Sequence, residues 1–174
     1  SPTVITIYSS NGITGLGNEA ITLSGNTSVA NTNSVAALTT GVVTATITEG
    51  DMSTLAGLTE TGNAYTVTIT DSSVASSALN TLDGKTTVAV NAAAVTTLTG
   101  LAADANTAYA SSGISGLGDE AVTLSDTSLA SSVLNTLDGN TTGAVNAATV
   151  TTLTRYSSYS QYSLCVIRNQ WFRK

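Results

Sequence analysis

The chain has 174 residues, of which 41% are hydrophobic, only 9% are charged and none is histidine. Residues 1–154 hold all eleven acidic side chains against one cation, Lys85, so this stretch carries 1 − 11 = −10 and repels nucleic acid and anionic lipid. It also lacks Cys, Trp and Phe. That inventory leaves no disulfide, no thiolate metal site and no Ser–His or Cys–His catalysis, and the chain is expected not to be an enzyme.

No apolar run reaches the ~18 residues of a transmembrane helix, and no basic-then-apolar segment opens the chain as a signal peptide. Beginning at Ser1, it reads as a fragment or a processed product.

The first predicted strand is AITLS from Ala20, followed by VTATIT from Val43 and YTVTIT from Tyr65. TVAVN from Thr87, AVTLS from Ala121 and TGAVN from Thr142 complete the set. Each alternates an apolar residue with a small or polar one, the period-2 pattern of a half-buried strand. Val67 and Ile69 are expected to face a core, with Thr66, Thr68 and Thr70 facing solvent. The strands recur roughly every 22 residues, with one short step through 109–120.

After the strand at Tyr65 comes DSSVASSALNTLDG, in which Val74, Ala78, Leu79 and Leu82 fall at helical spacing. Asp71, and Asp126 in a second copy, stand where helix N-caps are expected. Gly84 and Gly139 stand where a helix C-terminus takes positive φ. Larger blocks repeat as well. Asp71–Gly100 returns as Asp126–Thr154 at an offset of 55, and GITGLGNEAITLSGNTSVA from Gly12 returns as GISGLGDEAVTLSDTSLA from Gly113.

These patterns predict an α/β solenoid over residues 1–154, with parallel strands stacked about 4.8 Å apart and short helices or turns opposite them. The plan resembles that of leucine-rich repeats, without that family's asparagine ladder or leucine consensus. An all-β, right-handed parallel β-helix is the alternative. The two differ only in whether SSVASSALNTL winds into helix, and Ser and Thr are mediocre helix formers.

Composition changes abruptly at Arg155, where RYSSYSQYSLCVIRNQWFRK brings in aromatics, Cys and Arg. Codons gtc atc agg aat cag tgg ttt agg aaa for Val166–Lys174, read one nucleotide later, give SSGISGLGN, which is Ser111–Gly118 followed by the Asn of Asn18. A glutamate codon next in that frame makes T-GA, a stop directly after Lys174. The same shift carried backward fails only at Tyr156 and Tyr159. Residues 155–174 thus look like the repeat translated out of frame, expected to be disordered or loosely packed and without selected function.

Two ligand-binding patterns remain. Asp119, Glu120 and Asp138 are candidate calcium ligands, because GLGDEAVTL from Gly116 resembles the glycine- and aspartate-rich nonapeptides of calcium-binding β-rolls, and LDGN from Leu137 is an Asp–Gly turn. Simple turns account for the same residues, and the earlier copy reads LDGK, where Lys85 opposes a cation. Thr44, Thr46 and Thr48, with Thr66, Thr68 and Thr70, form outward Thr-x-Thr rows of the kind an ice-binding ladder uses. Thr is also simply a good exposed strand residue.

LNTLDGKTTVAVNAAAVTTLTG and YASSGISGLGDEAVTLSD resemble the degenerate arrays of very large secreted or surface-anchored bacterial repeat proteins, cyanobacterial ones in particular, over nearly all of residues 8–154. The resemblance implies a structural or spacer segment of an adhesin, stalk or outer-layer component, extracellular or at the cell surface. Its partners would be neighbouring repeats, with end-to-end self-association at an uncapped end. No catalytic residue and no cofactor other than calcium comes with it.

Overall fold

A computed structural model describes residues 2–155; the expectations for the out-of-frame tail beyond Arg155 lie outside the described residues. The fold is mixed α/β, built from short parallel strands in small sheets and six helices among the described residues. In chain order the first half runs α1 (Pro2–Tyr8), β1 (Ile21–Thr27), α2 (Val29–Ala36), β2 (Val43–Ile47), α3 (Met52–Leu55), β3 (Ala64–Thr66), β4 (Ser73–Ala75) and α4 (Ser76–Asp83). The second half runs β5 (Val90–Asn91), β6 (Thr97–Gly100), α5 (Ala102–Ala110), β7 (Ile114–Ser115), β8 (Ala121–Leu124), β9 (Ser128–Ala130), α6 (Ser131–Asn140), β10 (Val145–Asn146) and β11 (Thr152–Thr154).

Paired strands lie 20 to 24 residues apart in the chain, as in Thr46 with Thr66 and Ser73 with Thr97. The alternation places side chains as expected: Val43, Ala45 and Ile47 are buried while Thr44 and Thr46 are exposed. Tyr65, Val67 and Ile69 point inward with Thr66, Thr68 and Thr70 outward. The segment SSALNTLD winds into helix α4, so the all-β alternative does not hold. α4 buries Leu79 and Leu82. α5 presents Ala102, Ala105 and Ala108 as a buried stripe and packs against both α4 and α6; side chains this small let the helices come close.

Three local expectations are corrected. Val74 belongs to β4 rather than to the helix, and α4 begins only at Ser76. Gly84 caps α4 at φ −65, and Gly139 lies inside α6, so neither supplies a left-handed C-cap. Asp71 and Asp126 do not cap the helices that follow them, whose N-caps are Ala75 and Ala130 without side-chain bonds. Each reaches back to an earlier helix instead: Met52 N donates to Asp71 Oδ2 at 2.6 Å, and Ala102 N donates to Asp126 Oδ2 at 2.8 Å. Glu49 does the same for α2, accepting from Val29 N at 3.1 Å. A free N–H at a helix start, with the positive end of the dipole behind it, is as well served by a carboxylate from the adjacent turn of chain as by its own.

This arrangement makes Asp126→Ala informative. It should cost about 1 kcal/mol and loosen α5, whose start is 24 residues upstream, while leaving α6 intact. Amide exchange resolved by residue reads the difference, and faster exchange at the start of α6 instead would contradict it.

The short step through 109–120 also has its explanation. TVAVN does not stack on AVTLS: Val90 pairs with Ile114, whereas Ala121 pairs with Thr97. β7 fills the slot that a uniform period assigns to the strand at Ala121.

Candidate functional site

The most elaborately bonded cluster occurs twice. Around Glu120, Tyr109 Oη donates to Oε2 at 3.0 Å and Gly118 N donates to the same oxygen at 2.9 Å, while Oε1 has no hydrogen-bond partner. The side chain is fully buried. The hydroxyl of Thr141 donates to the Glu120 carbonyl at 2.7 Å and accepts from Gly143 N at 3.0 Å. Gly143 sits directly against the Glu120 backbone, where any Cβ would collide with the carbonyl.

The same set recurs near the N-terminus. Tyr8 Oη and Gly17 N donate to Glu19 Oε2 at 2.7 and 2.8 Å, Thr39 donates to the Glu19 carbonyl at 2.7 Å, and Gly41 meets the Glu19 backbone. Gly17 and Gly118 both take φ near +140 (136 and 142), which turns the chain so that the N–H and the carboxylate two residues on can meet. The cluster is a latch: it ties a helix end, a turn and the next stretch of chain through one carboxylate.

Electrostatics follow from the bonding. Burial pushes Tyr109 up to about 12; its hydrogen bond to Glu120 and the charges of Glu120 and Asp119 add to the rise, and Thr141 opposes it. The Gly17 N–H, then Tyr8, holds Glu19 below the ordinary glutamate range. At α3, the hydroxyls of Ser53 and Thr54 and the Thr54 N–H bring Asp51 down to about 2. A carboxylate with a depressed folded pKa adds stability above its unfolded value, and this is lost as pH falls through the folded one. Asp51 should therefore titrate by NMR near pH 2, its contribution fading between about pH 4 and 2. Observation of a midpoint at the ordinary aspartate value of 3.8 would remove the capping geometry at α3.

The calcium candidates are not brought together. Glu120 is turned inward into the latch, Asp119 is exposed, and Asp138 is exposed on α6. Among the described residues no three His, Cys, Asp or Glu side chains gather as metal ligands. Lys85 donates to the Thr59 carbonyl at 3.0 Å.

All six threonines of the predicted ladder are exposed. Thr46 sits between Asn26 and Thr66, Thr44 between Thr22 and Ala64, and Thr68 beside Asn91. The outer face therefore carries columns of hydroxyls and amides interrupted by Ala64.

No family model, curated protein or solved structure matches the chain.

Sequence reading missed the asparagines. Asn33, Asn80 and Asn106 lie on α2, α4 and α5, and each Nδ2 donates to a carbonyl 24 to 27 residues ahead, of Gly57, Asp104 and Val133 respectively. They join the helix side of one turn of chain to the next, as the acidic caps do at the helix starts. Only Asn80 lies in the repeated LNTLDG, and an isolated Asn in a Ser/Thr-rich helix looks like any polar surface residue. No membrane-length apolar helix is present among the described residues.

Proposed function

We propose that residues 2–154 are a stretch of α/β solenoid, roughly 22 residues per coil, serving as a structural spacer or covering segment of an extracellular or cell-surface repeat protein. The observation that carries this reading is the bonding between turns. The best-placed carboxylates and amides, Asp71, Asp126, Asn80, Asn106 and the Glu120 latch, are used to fasten one turn of chain to another. Polar groups spent in this way hold a stack at fixed spacing. The leucine-rich-repeat-like plan and the resemblance to bacterial surface arrays support the same reading.

Two experiments test it. Antibodies against the 71–100 block should label intact source cells, and labelling confined to lysed cells would overturn the surface assignment. Deleting residues 71–125 joins Thr70 to Asp126, which mimics the natural Thr70–Asp71 junction one 55-residue repeat later. A spacer built of interchangeable coils should shorten and still melt cooperatively; loss of the cooperative transition would show that the coils are not modular.

A second reading is ice binding, favoured by the exposed Thr22–Thr44 and Thr46–Thr66 neighbours. Thermal hysteresis that disappears on Thr46→Val/Thr66→Val would support it. Its absence in the unaltered chain would end it.

A further inference from the structure

Two repeats and one internal interface define what the C-terminal end is shaped to meet. Block 71–99 recurs as 126–154 at an offset of 55, and Tyr8–Ser24 recurs as Tyr109–Ser125 at an offset of 101. Within the chain, block 71–99 is covered by segment 101–125. α5 packs on α4, Val90 pairs with Ile114, and Leu98 pairs with Val122. Ser111 Oγ donates to Asp83 Oδ2 at 2.7 Å, and Gly116 lies so close to Ala93 that a Cβ would stand 2.8 Å from its nitrogen.

The second copy of the covered block has no such cover among the described residues. Leu153, the counterpart of fully buried Leu98, is 58% exposed. Asn135 and Asp138, counterparts of Asn80 and Asp83, line a cavity of about 360 Å³ together with Leu134 and Val145. The second copy of the cover, near the N-terminus, has no such partner on its outer face among the described residues: Ile13, counterpart of Ile114, is 47% exposed against 9%.

We infer that the chain associates head to tail with a second copy of itself, residues 8–24 of one molecule seating on 126–154 of the next as 109–125 seats on 71–99 within each. The inference rests on the stacked-repeat reading above. The register follows from the offsets: Ile13 faces Val145, Ile21 faces Leu153, the Ser10 hydroxyl meets Asp138, and Gly15 lies over Ala148. Among the described residues β10 and β11 are sheet edges, and their outer backbone groups complete the pairing. The two surfaces differ, so the contact is heterologous and copies add without closure. A net charge of −6 per chain opposes the approach, so added salt should strengthen it.

Sedimentation velocity of the full chain with Ile13→Asp and Leu153→Asp variants tests this. The unaltered chain should grow past the dimer as concentration rises, and each variant alone should stay monomeric. An equimolar mixture of the two should give dimers and nothing larger, because each retains one intact end. A wild-type chain that remains monomeric overturns the inference, including when its own residues 156–174 occupy the end. A dimer formed by one variant alone marks a two-fold contact and also overturns it. Circular dichroism separates the two readings: a folded chain that fails to associate leaves the stack standing, whereas an unfolded one removes the stack. Should either variant lose its fold, Thr14→Arg and Asn146→Arg, both at exposed positions, replace them in the same mixture.

Discussion

Glu120→Ala is expected to destabilise the chain by about 3 kcal/mol, and Glu19→Ala by a small fraction of that, although the two residues occupy the same motif. At Glu120 the substitution leaves the donors of half-buried Tyr109 and Gly118 without their acceptor, a carboxylate that is itself fully buried. Each stranded buried donor costs about 1–3 kcal/mol, and the emptied volume adds a cavity term. At Glu19 the latch is half-exposed, so water replaces the lost carboxylate. Glu120→Gln keeps the volume and one acceptor and should recover most of the loss. Urea unfolding monitored by circular dichroism reads all three; equal midpoint shifts for Glu120→Ala and Glu19→Ala would show that the latch is not a buried bonding centre. Tyr109 gives a second readout, since removing Glu120 takes away two of the causes that raise its pKa and should lower its titration from about 12.

The second large effect uses the repeat as its own control. Leu98 and Leu153 occupy the same place in the two copies of TTLT, yet Leu98 is fully buried between Val74 and Val122 and Leu153 is 58% exposed. Leu98→Ala should cost about 3 kcal/mol from lost transfer energy plus the cavity left behind. Leu153→Ala, measured in dilute solution, should stay within about 0.5 kcal/mol. A difference between the two smaller than about 1 kcal/mol would mean that Leu153 is covered at high dilution.

Much of the fold was legible because it rests on local periodicities. The alternation in VTATIT and YTVTIT determined which threonines face water, since successive strand side chains point to opposite faces whatever lies beyond. The spacing of Leu79 and Leu82 determined a helix, and its formation decided between the mixed and all-β plans. The short strands β4, β6, β9 and β11 were not legible. Three or four residues with a single large apolar side chain carry too little pattern, and they become strands only when a neighbouring edge supplies their hydrogen bonds.

The candidate site divides in the same way. Sequence found Glu120 as a notable acid and offered it to calcium, because composition shows a carboxylate beside a turn but not which way it points. Tyr109, eleven residues upstream, turns it inward. Asp71 and Asp126 were recognised as capping residues and given to the wrong helices. A local rule assumes the nearest helix, whereas a repeat that brings its copies side by side offers each carboxylate the start of an earlier one.

By itself the sequence determined the repeats, the inward and outward faces, the acidic balance and the lack of histidine and of any cysteine before residue 155, all of which are properties of order and composition. Only the tertiary structure decided which turn each polar side chain serves and which apolar residues remain bare at the two ends. Those depend on contacts between residues 19 or more apart, and the same TTLT segment is buried or exposed according to whether another turn covers it among the described residues.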